Sequence, residues 1–392
     1  MRQTYTIRTA ALFAALLFAL TGLAGCAGSG ADQPVEIPQG PDAAVTAHAT
    51  EPVLTEAAET AAPSAGLDAP ASPAPSEEAP GGIPPIHSVS DKTFTYDGTN
   101  VMRVDDRAYE ICYFLEPEAK SYAGIVTEAS EALEGYTNVY SLIIPTAYGV
   151  MMPDDMRVKI SYYFDMGERI DSVYGCMGSG VKTVSTYDLL MHHRDEFLYF
   201  RTDHHWTARG AWYAYAAFCR AKGIEPNPID SYETVDFTGF LGTLYRDSGS
   251  DPALMPEETV TAYYPLSQGV EMVIHNADGS TYKEPVVKDV SSYSAIAKYG
   301  TFAGSDNPLT VFTNPNVTDG SVLIVIKESF GNAMMAFLSD HYSKIYEIDY
   351  RYWKGSVTEL AKEVGATDLL FANNFMVISS KSNIGKISMI LK

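Results

Sequence analysis

Asp203, His204, His205 and Trp206 stand in four adjacent positions within FRTDHHWTARGAWYAY, Phe200 to Tyr215. Two imidazoles and a carboxylate in so short a run admit three readings. An Asp-x-His pair can serve as a general base with the carboxylate that orients it. The same groups, joined by His192 and His193 of the nearby HHR, have the ligand types of a zinc site, although their spacing matches no metal motif. The third reading is a plain cap on the helix that follows. Only the first requires a partner elsewhere in the chain, namely a nucleophile.

SVLIVIKESFGNA, Ser321 to Ala333, supplies one. Ser329 lies just past an apolar β-type run and at the start of a helical pattern. A hydroxyl on such a strand-to-helix turn is exposed, and the first N–H groups of the helix can receive an oxyanion. The run lacks Gly-x-Ser-x-Gly, so the ordinary α/β-hydrolase signature is absent. Serine is a weak nucleophile until a neutral imidazole takes its proton, and a carboxylate must fix the imidazole's tautomer. Asp203 is therefore assigned to orientation and His205 to the base. DLLFANNF, Asp368 to Phe375, ends another apolar run on Asn373 and Asn374, and either amide could donate to the same oxyanion. In open α/β sheets such groups gather beyond the carboxyl ends of strands.

The elements that must position these groups alternate. Pro117 begins a helical pattern carried by Tyr122, Ile125, Val126, Ala129 and Leu133. VYSLIIP is a strand stopped by Pro145, and a helix is expected around Ser161 to Tyr174. DEFLYF, just before the histidines, is expected as a strand. Thr207 is the N-cap of a helix that Gly223 ends. Residues 236–315 read as strands and loops, a β-rich insertion. SVLIVI, KIYEID and DLLFA then alternate as strands with the helices FGNAMMAFL and SVTELAKEV. Apolar strands separated by helices imply an α/β fold, a parallel sheet with helices on both faces.

Outside this region the chain reads differently. Arg2 and Arg8 precede the apolar stretch Ala10 to Leu20, and Leu23-Ala24-Gly25-Cys26 follows, the pattern of a lipoprotein signal over residues 1–25. Acyl chains on Cys26 would anchor the protein to a bilayer. Residues 26–90, rich in Ala, Pro and Glu, read as a disordered tether with a reach of roughly 45 Å. The folded domain is then 91–392, on the extracytoplasmic face of a bacterial membrane, with membrane contact through the lipid alone. Lys and Arg number 27 against 49 Asp and Glu, a net charge of -22 that disfavours nucleic acid and anionic lipid, so no nucleic-acid partner is expected. Beyond Cys26 only Cys112, Cys176 and Cys219 remain; no zinc spacing connects them, and Cys219 reads as a buried free thiol.

YFRTDHHWTARGAWYAY, followed far downstream by IVIKESFGNAMMAFLSDHYSKIYEIDYRYW, resembles the bacterial DHHW family, which is similar to the SGNH-like domains of the alginate O-acetylation proteins. The resemblance implies a flavodoxin-like SGNH-hydrolase fold with the Asp-x-His ahead of the serine. Carried over by position, Asp203, His205 and Ser329 take the catalytic places. His204 falls on the variable place between them. Glu328 stands where an Asp is usual, and the order of blocks is reversed relative to standard SGNH hydrolases. Asn373, Asn374, Gly304, Gly242, Trp206 and Arg351 are the candidates for oxyanion and substrate contacts. The expected activity is O-acetyl transfer or ester hydrolysis on a cell-surface or exopolysaccharide glycan through an acyl-serine, with no cofactor or metal and the acyl donor open. The alternative is a non-catalytic glycan-binding lipoprotein using Trp206, Trp212, Tyr350, Tyr352 and Trp353 as sugar platforms.

Overall fold

The computed structural model describes residues 82–392. The expected signal peptide, Cys26 and most of the tether lie outside them. The last tether residues do not hang free: Ile86 N–H donates to Asp154 (3.1 Å), Ser88 N–H to Asp155 (2.9 Å), and Arg194 Nε–H to the Pro84 carbonyl (2.7 Å). The folded region thus begins several residues before position 91.

The strands are, in chain order, β1 (Thr93–Thr95), β2 (Val101–Val104), β3 (Arg107–Glu110), β4 (Asn138–Ile144), β5 (Val181–Thr183), β6 (Thr234–Phe240), β7 (Glu258–Tyr263), β8 (Glu271–His275), β9 (Thr281–Glu284), β10 (Leu309–Thr313), β11 (Val322–Lys327), β12 (Lys344–Asp349) and β13 (Asp368–Asn374). Eight of them form the central sheet in the order β5-β4-β13-β11-β12-β10-β8-β9. From β5 to β12 the pairing is parallel; β10, β8 and β9 extend it antiparallel. The sheet is therefore mixed; within the β-rich segment 236–315, expected as an insertion, β8, β9 and β10 supply its far edge, while β6 and β7 pair with each other as a separate two-stranded sheet. The fold is mixed α/β with a central sheet and helices.

Burial explains the parallel centre. Leu323, Ile324, Val325 and Ile326 of β11 and Leu369 to Ala372 of β13 are fully buried. Side chains inside on both sheet faces need an apolar run rather than alternation, and each such aliphatic side chain contributes about 1.5–3 kcal/mol. Tyr122, on the helix Glu116–Ala132, donates to Asn373, whereas Lys222, at the end of the helix Ala208–Lys222, bonds Asp368. Those two β13 positions differ in parity, so these helices cover opposite faces. Thr207 caps the second helix through Gly210 N–H (3.3 Å), and Gly223 ends it at φ +83°.

Three local expectations differ from the structure. The helix expected from Ser161 begins at Met166, where Asp165 accepts from Glu168 N–H (3.0 Å). FGNAMMAFL divides into two short helices, Ser329–Asn332 and Met335–Leu338. DEFLYF is not a strand: it carries only an isolated bridge between Tyr199 and Trp206. Its carbonyls at Tyr199 and Phe200 accept from the Arg107 guanidinium, at 3.1 and 2.9 Å. The chain then folds back on itself, with Thr207 N–H on the Leu198 carbonyl and Phe200 N–H on that of His205. Asp203, His204 and His205 occupy the tip of this closed loop. Among the described residues, no helix is long and apolar enough to cross a membrane.

Candidate active site

The turn after β11 and the loop 198–207 meet at Ser329. Its Oγ lies 2.7 Å from His205 Nε2, and His205 Nδ1 lies 2.6 Å from Asp203 Oδ1. Asp203 Oδ1 also accepts from the His205 backbone N–H at 2.9 Å, which closes the Asp-x-His into a small ring. Asp203 Oδ2 accepts from the N–H and hydroxyl of Thr243, at 2.7 and 3.1 Å. Burial alone would raise the Asp203 carboxyl, but the two imidazoles and the Thr243 N–H hold it well below the usual carboxylate range. A fixed carboxylate, an oriented imidazole and a serine in one hydrogen-bonded line can withdraw the serine proton as the oxygen attacks.

The loop is braced from β7. Glu258, buried at the start of that strand, accepts from Arg201 N–H (2.7 Å), Thr202 N–H (2.9 Å) and the Thr202 hydroxyl (2.5 Å). Gly242 has a steric role: a methyl group there would overlap the Asp203 side chain. It is a packing position under the carboxylate, not a donor facing Ser329. Trp206, expected at the substrate, is fully buried, and its Nε1–H donates to the Phe330 carbonyl at 2.9 Å. It ties the histidine loop to the serine turn. Tyr299 stacks on the His205 ring with centroids 3.9 Å apart at 12°, and its hydroxyl reaches the Ser329 carbonyl at 3.4 Å. Tyr299, Thr243 and Glu258 were not legible as site residues, because each acts on a loop distant in sequence.

The expected asparagine donors are used elsewhere. Asn373 is fully buried; its Nδ2 donates to Glu328 (3.1 Å) and its Oδ1 accepts from Tyr122. Asn374 N–H also donates to Glu328 (3.1 Å), while its side chain caps the helix Phe375–Ile378. Burial pushes the Glu328 carboxyl up to about 7 despite these donors. Its carboxylate is thus turned toward β13 and does not cap the turn after it. Among the described residues, the N–H groups of Ser329 and Phe330 have no acceptor, as expected for a first helical turn.

A cavity of about 500 Å³ opens over Ser329, His204 and His205, with Tyr299, Gly304, Asp306, Asn332 and Arg351 among its walls. Gly304 turns at φ +66°, a conformation that suits glycine. Arg351 is gripped by Asp349 (2.8 and 2.6 Å) and Asp306 (2.8 Å). Beneath it Lys327 is buried among Glu347, Asp349 and Asp306 and donates to Asn332. One ligand atom each from Asp203, His204 and His205 lies within 4.8 Å of the others, a spacing a metal could use. Both His205 nitrogens, however, are engaged by Asp203 and Ser329. The histidines of HHR do not join them: His192 bonds its own helix, and His193 pairs with Glu196 (3.0 Å) and Tyr213 (2.9 Å). Of the three cysteines among the described residues, Cys112 and Cys219 are buried and Cys176 is exposed, all as free thiols.

No curated protein matches the chain in sequence. Solved structures do. A DHHW family protein from Eubacterium siraeum DSM 15702 superposes with a TM-score of 0.69 at 25% identity, over 79% of this chain and 100% of that one. PatB1 of Bacillus cereus, solved with a sulfonyl adduct, superposes at 0.59 with 16% identity, over 74% and 97%. The O-acetyltransferase domain of Pseudomonas putida AlgJ is more distant, at 0.39 with 12% identity over 75% and 98%. The family model described as "DHHW protein" matches residues 86–348, a span that holds Asp203, His205 and Ser329, and the chain belongs to the DHHW family.

Proposed function

We propose that the chain is an O-acetyltransferase or O-acyl esterase for carbohydrate, built on an SGNH-hydrolase-like fold and working through an acyl-Ser329 intermediate. The observation that carries this reading is the unbroken line from Asp203 Oδ1 through the His205 ring to Ser329 Oγ, with bonds of 2.6 and 2.7 Å. Ser329 Oγ attacks the ester carbonyl while His205 Nε2 takes its proton. The N–H groups of Ser329 and Phe330, without an acceptor among the described residues, are available to receive the oxyanion. The leaving alcohol receives the proton from His205. An acceptor hydroxyl, from water or sugar, then gives its proton to His205 as it attacks the acyl carbon; the bond to Ser329 Oγ breaks, and Oγ takes the proton back from His205. Each step balances without a metal or cofactor.

The structure of PatB1, a protein of the same fold, carries a sulfonyl adduct, so a sulfonyl fluoride is the reagent of choice. Intact-mass and peptide analysis after phenylmethylsulfonyl fluoride should place one adduct on Ser329, with loss of p-nitrophenyl acetate hydrolysis. A protein that neither labels nor turns over esters, yet binds glycans, would be a binding lipoprotein instead. The lipobox-type Leu23-Ala24-Gly25-Cys26 and the acidic, Pro-rich segment after it support a lipid-anchored site on the outer face of the membrane, within reach of surface polysaccharide.

A further inference from the structure

His204 is not part of the line from Asp203 to Ser329, yet it opens on the same cavity. Its ring packs on that of His205 with centroids 3.9 Å apart at 36°, and its side chain is 29% exposed. Its Nδ1 lies 2.7 Å from Thr243 Oγ1. That hydroxyl has one proton, and it donates to Asp203 Oδ2, the stronger acceptor because it is charged. Toward His204 the Thr243 oxygen is therefore an acceptor, and Nδ1 carries the ring proton. Nε2 is left as a lone pair, with no partner among the described residues. Burial and the neighbouring His205 ring pull the His204 pKa down, toward the neutral ring, against the pull of Asp203.

We propose that His204 Nε2 accepts a hydrogen bond from a second hydroxyl of the acceptor, adjacent to the one His205 deprotonates, so that the site selects acceptors with neighbouring hydroxyls, as on a sugar ring. This rests on the acyl-serine reading above. Two basic nitrogens on neighbouring rings tilted 36° to each other fit two hydroxyls on neighbouring carbons, and the cavity of about 500 Å³ has room for a sugar ring. Attack and proton transfer are unchanged: the reacting hydroxyl gives its proton to His205, the bond to Ser329 Oγ breaks, and Oγ takes the proton back. His204 holds the second hydroxyl and exchanges no proton. It is a specificity residue.

The test is the fate of the acetyl-enzyme made from p-nitrophenyl acetate, with cyclohexanol or cis-1,2-cyclohexanediol as acceptor. The ratio of transfer ester to free acetate is measured from the same intermediate, so any unfolded fraction of a variant drops out. Wild type should favour the diol about fivefold or more over the mono-alcohol, the worth of one hydrogen bond. His204→Leu should bring the preference down to about the statistical factor of two, and His204→Gln, whose amide oxygen can accept, should restore most of it. An unchanged preference in His204→Leu, or none in wild type beyond the statistical factor, would overturn the proposal. Loss of hydrolysis rather than of diol transfer in His204→Leu would also overturn it, because His204 would then be orienting water. A wild type that forms no acetyl-Ser329 at all would instead remove the parent reading, and this inference with it.

Discussion

At the scale of single residues, the site depends on three side chains held by neighbours the sequence does not place near them. Ser329→Ala and His205→Ala should each lower ester hydrolysis by about a thousandfold or more, and the double variant hardly further, because the two act as a unit. Asp203→Asn should be comparably impaired, since an amide cannot both receive the His205 Nδ1 proton and carry the balancing charge. The Gly242 position offers a test of geometry alone. Gly242→Ala puts a methyl group where the Asp203 side chain sits; kcat should fall steeply, with loss of thermal stability, while Gly304→Ala should leave Asp203 in place. Tyr299 is a positioning residue for the base. Tyr299→Phe keeps the stacked ring and should cost little, whereas Tyr299→Ala should lower kcat about tenfold or more with KM little changed, read from steady-state kinetics. Asp203, His205 and Ser329 were legible because their chemistry demands those types together. Trp206, Asn373 and Gly242 were legible as unusual residues, but their duties are packing and bracing, which only the partners across the fold reveal.

At the scale of elements, the carboxyl ends of β11, β12 and β13 form one shelf. Lys327 lies in register with Asp349 on one side and Ala372 on the other, so Ser329, Arg351 and Asn373 come together from three strands. The strands themselves were readable because runs such as VLIVI and DLLFA must be buried on both faces. DEFLYF was misread for the same reason: Leu198, Tyr199 and Phe200 are as buried as a strand. A sequence shows burial but not whether a neighbouring strand or an arginine satisfies the carbonyls. The shelf also stores charge. Glu328 and Glu347 are each pushed up to about 7 from an ordinary 4.5 by burial. The two Glu347 oxygens have no hydrogen bond, only Lys327 at 3.4 Å. The folded state therefore holds protons that the unfolded chain has released, so stability should fall as pH rises from about 4.5 to about 7, and level off above. Asp203 acts oppositely, since its depressed pKa gives stability that is lost only below the ordinary carboxylate range. Urea denaturation at pH 5 and pH 8 should show wild type less stable at pH 8 by about 1–3 kcal/mol. Glu347→Gln should remove much of that difference; an equal slope in the variant would show that the titration belongs elsewhere.

At the scale of the whole molecule, the question is where the proposed acyl-transfer site would meet its substrate. A net charge of -22 disfavours nucleic acid, and the cavity over Ser329 has walls of mixed polarity, with Asp306, Asn332 and Arg351 beside Ile296, Ala297 and Tyr299. The features that bear on location are the apolar Ala10 to Leu20, the Leu23-Ala24-Gly25-Cys26 that follows, and the Ala, Pro and Glu-rich segment leading to the residues docked at Ile86 and Ser88. A lipidated Cys26 would hold the folded region near a membrane at a distance set by that segment, and two acyl chains suffice for stable anchoring where one does not. Cys26→Ala should then move the protein from the membrane fraction to the soluble one and leave p-nitrophenyl acetate hydrolysis per folded molecule as it was, because the substitution changes none of Asp203, His205 and Ser329. Acylation of surface glycan by intact cells should fall in the same variant, since the enzyme is no longer confined beside its polymer. Retention of the Cys26→Ala protein on membranes with an uncleaved N-terminus would show that the apolar stretch itself is the anchor, and the lipoprotein reading would fail while the assignment of Ser329 stood.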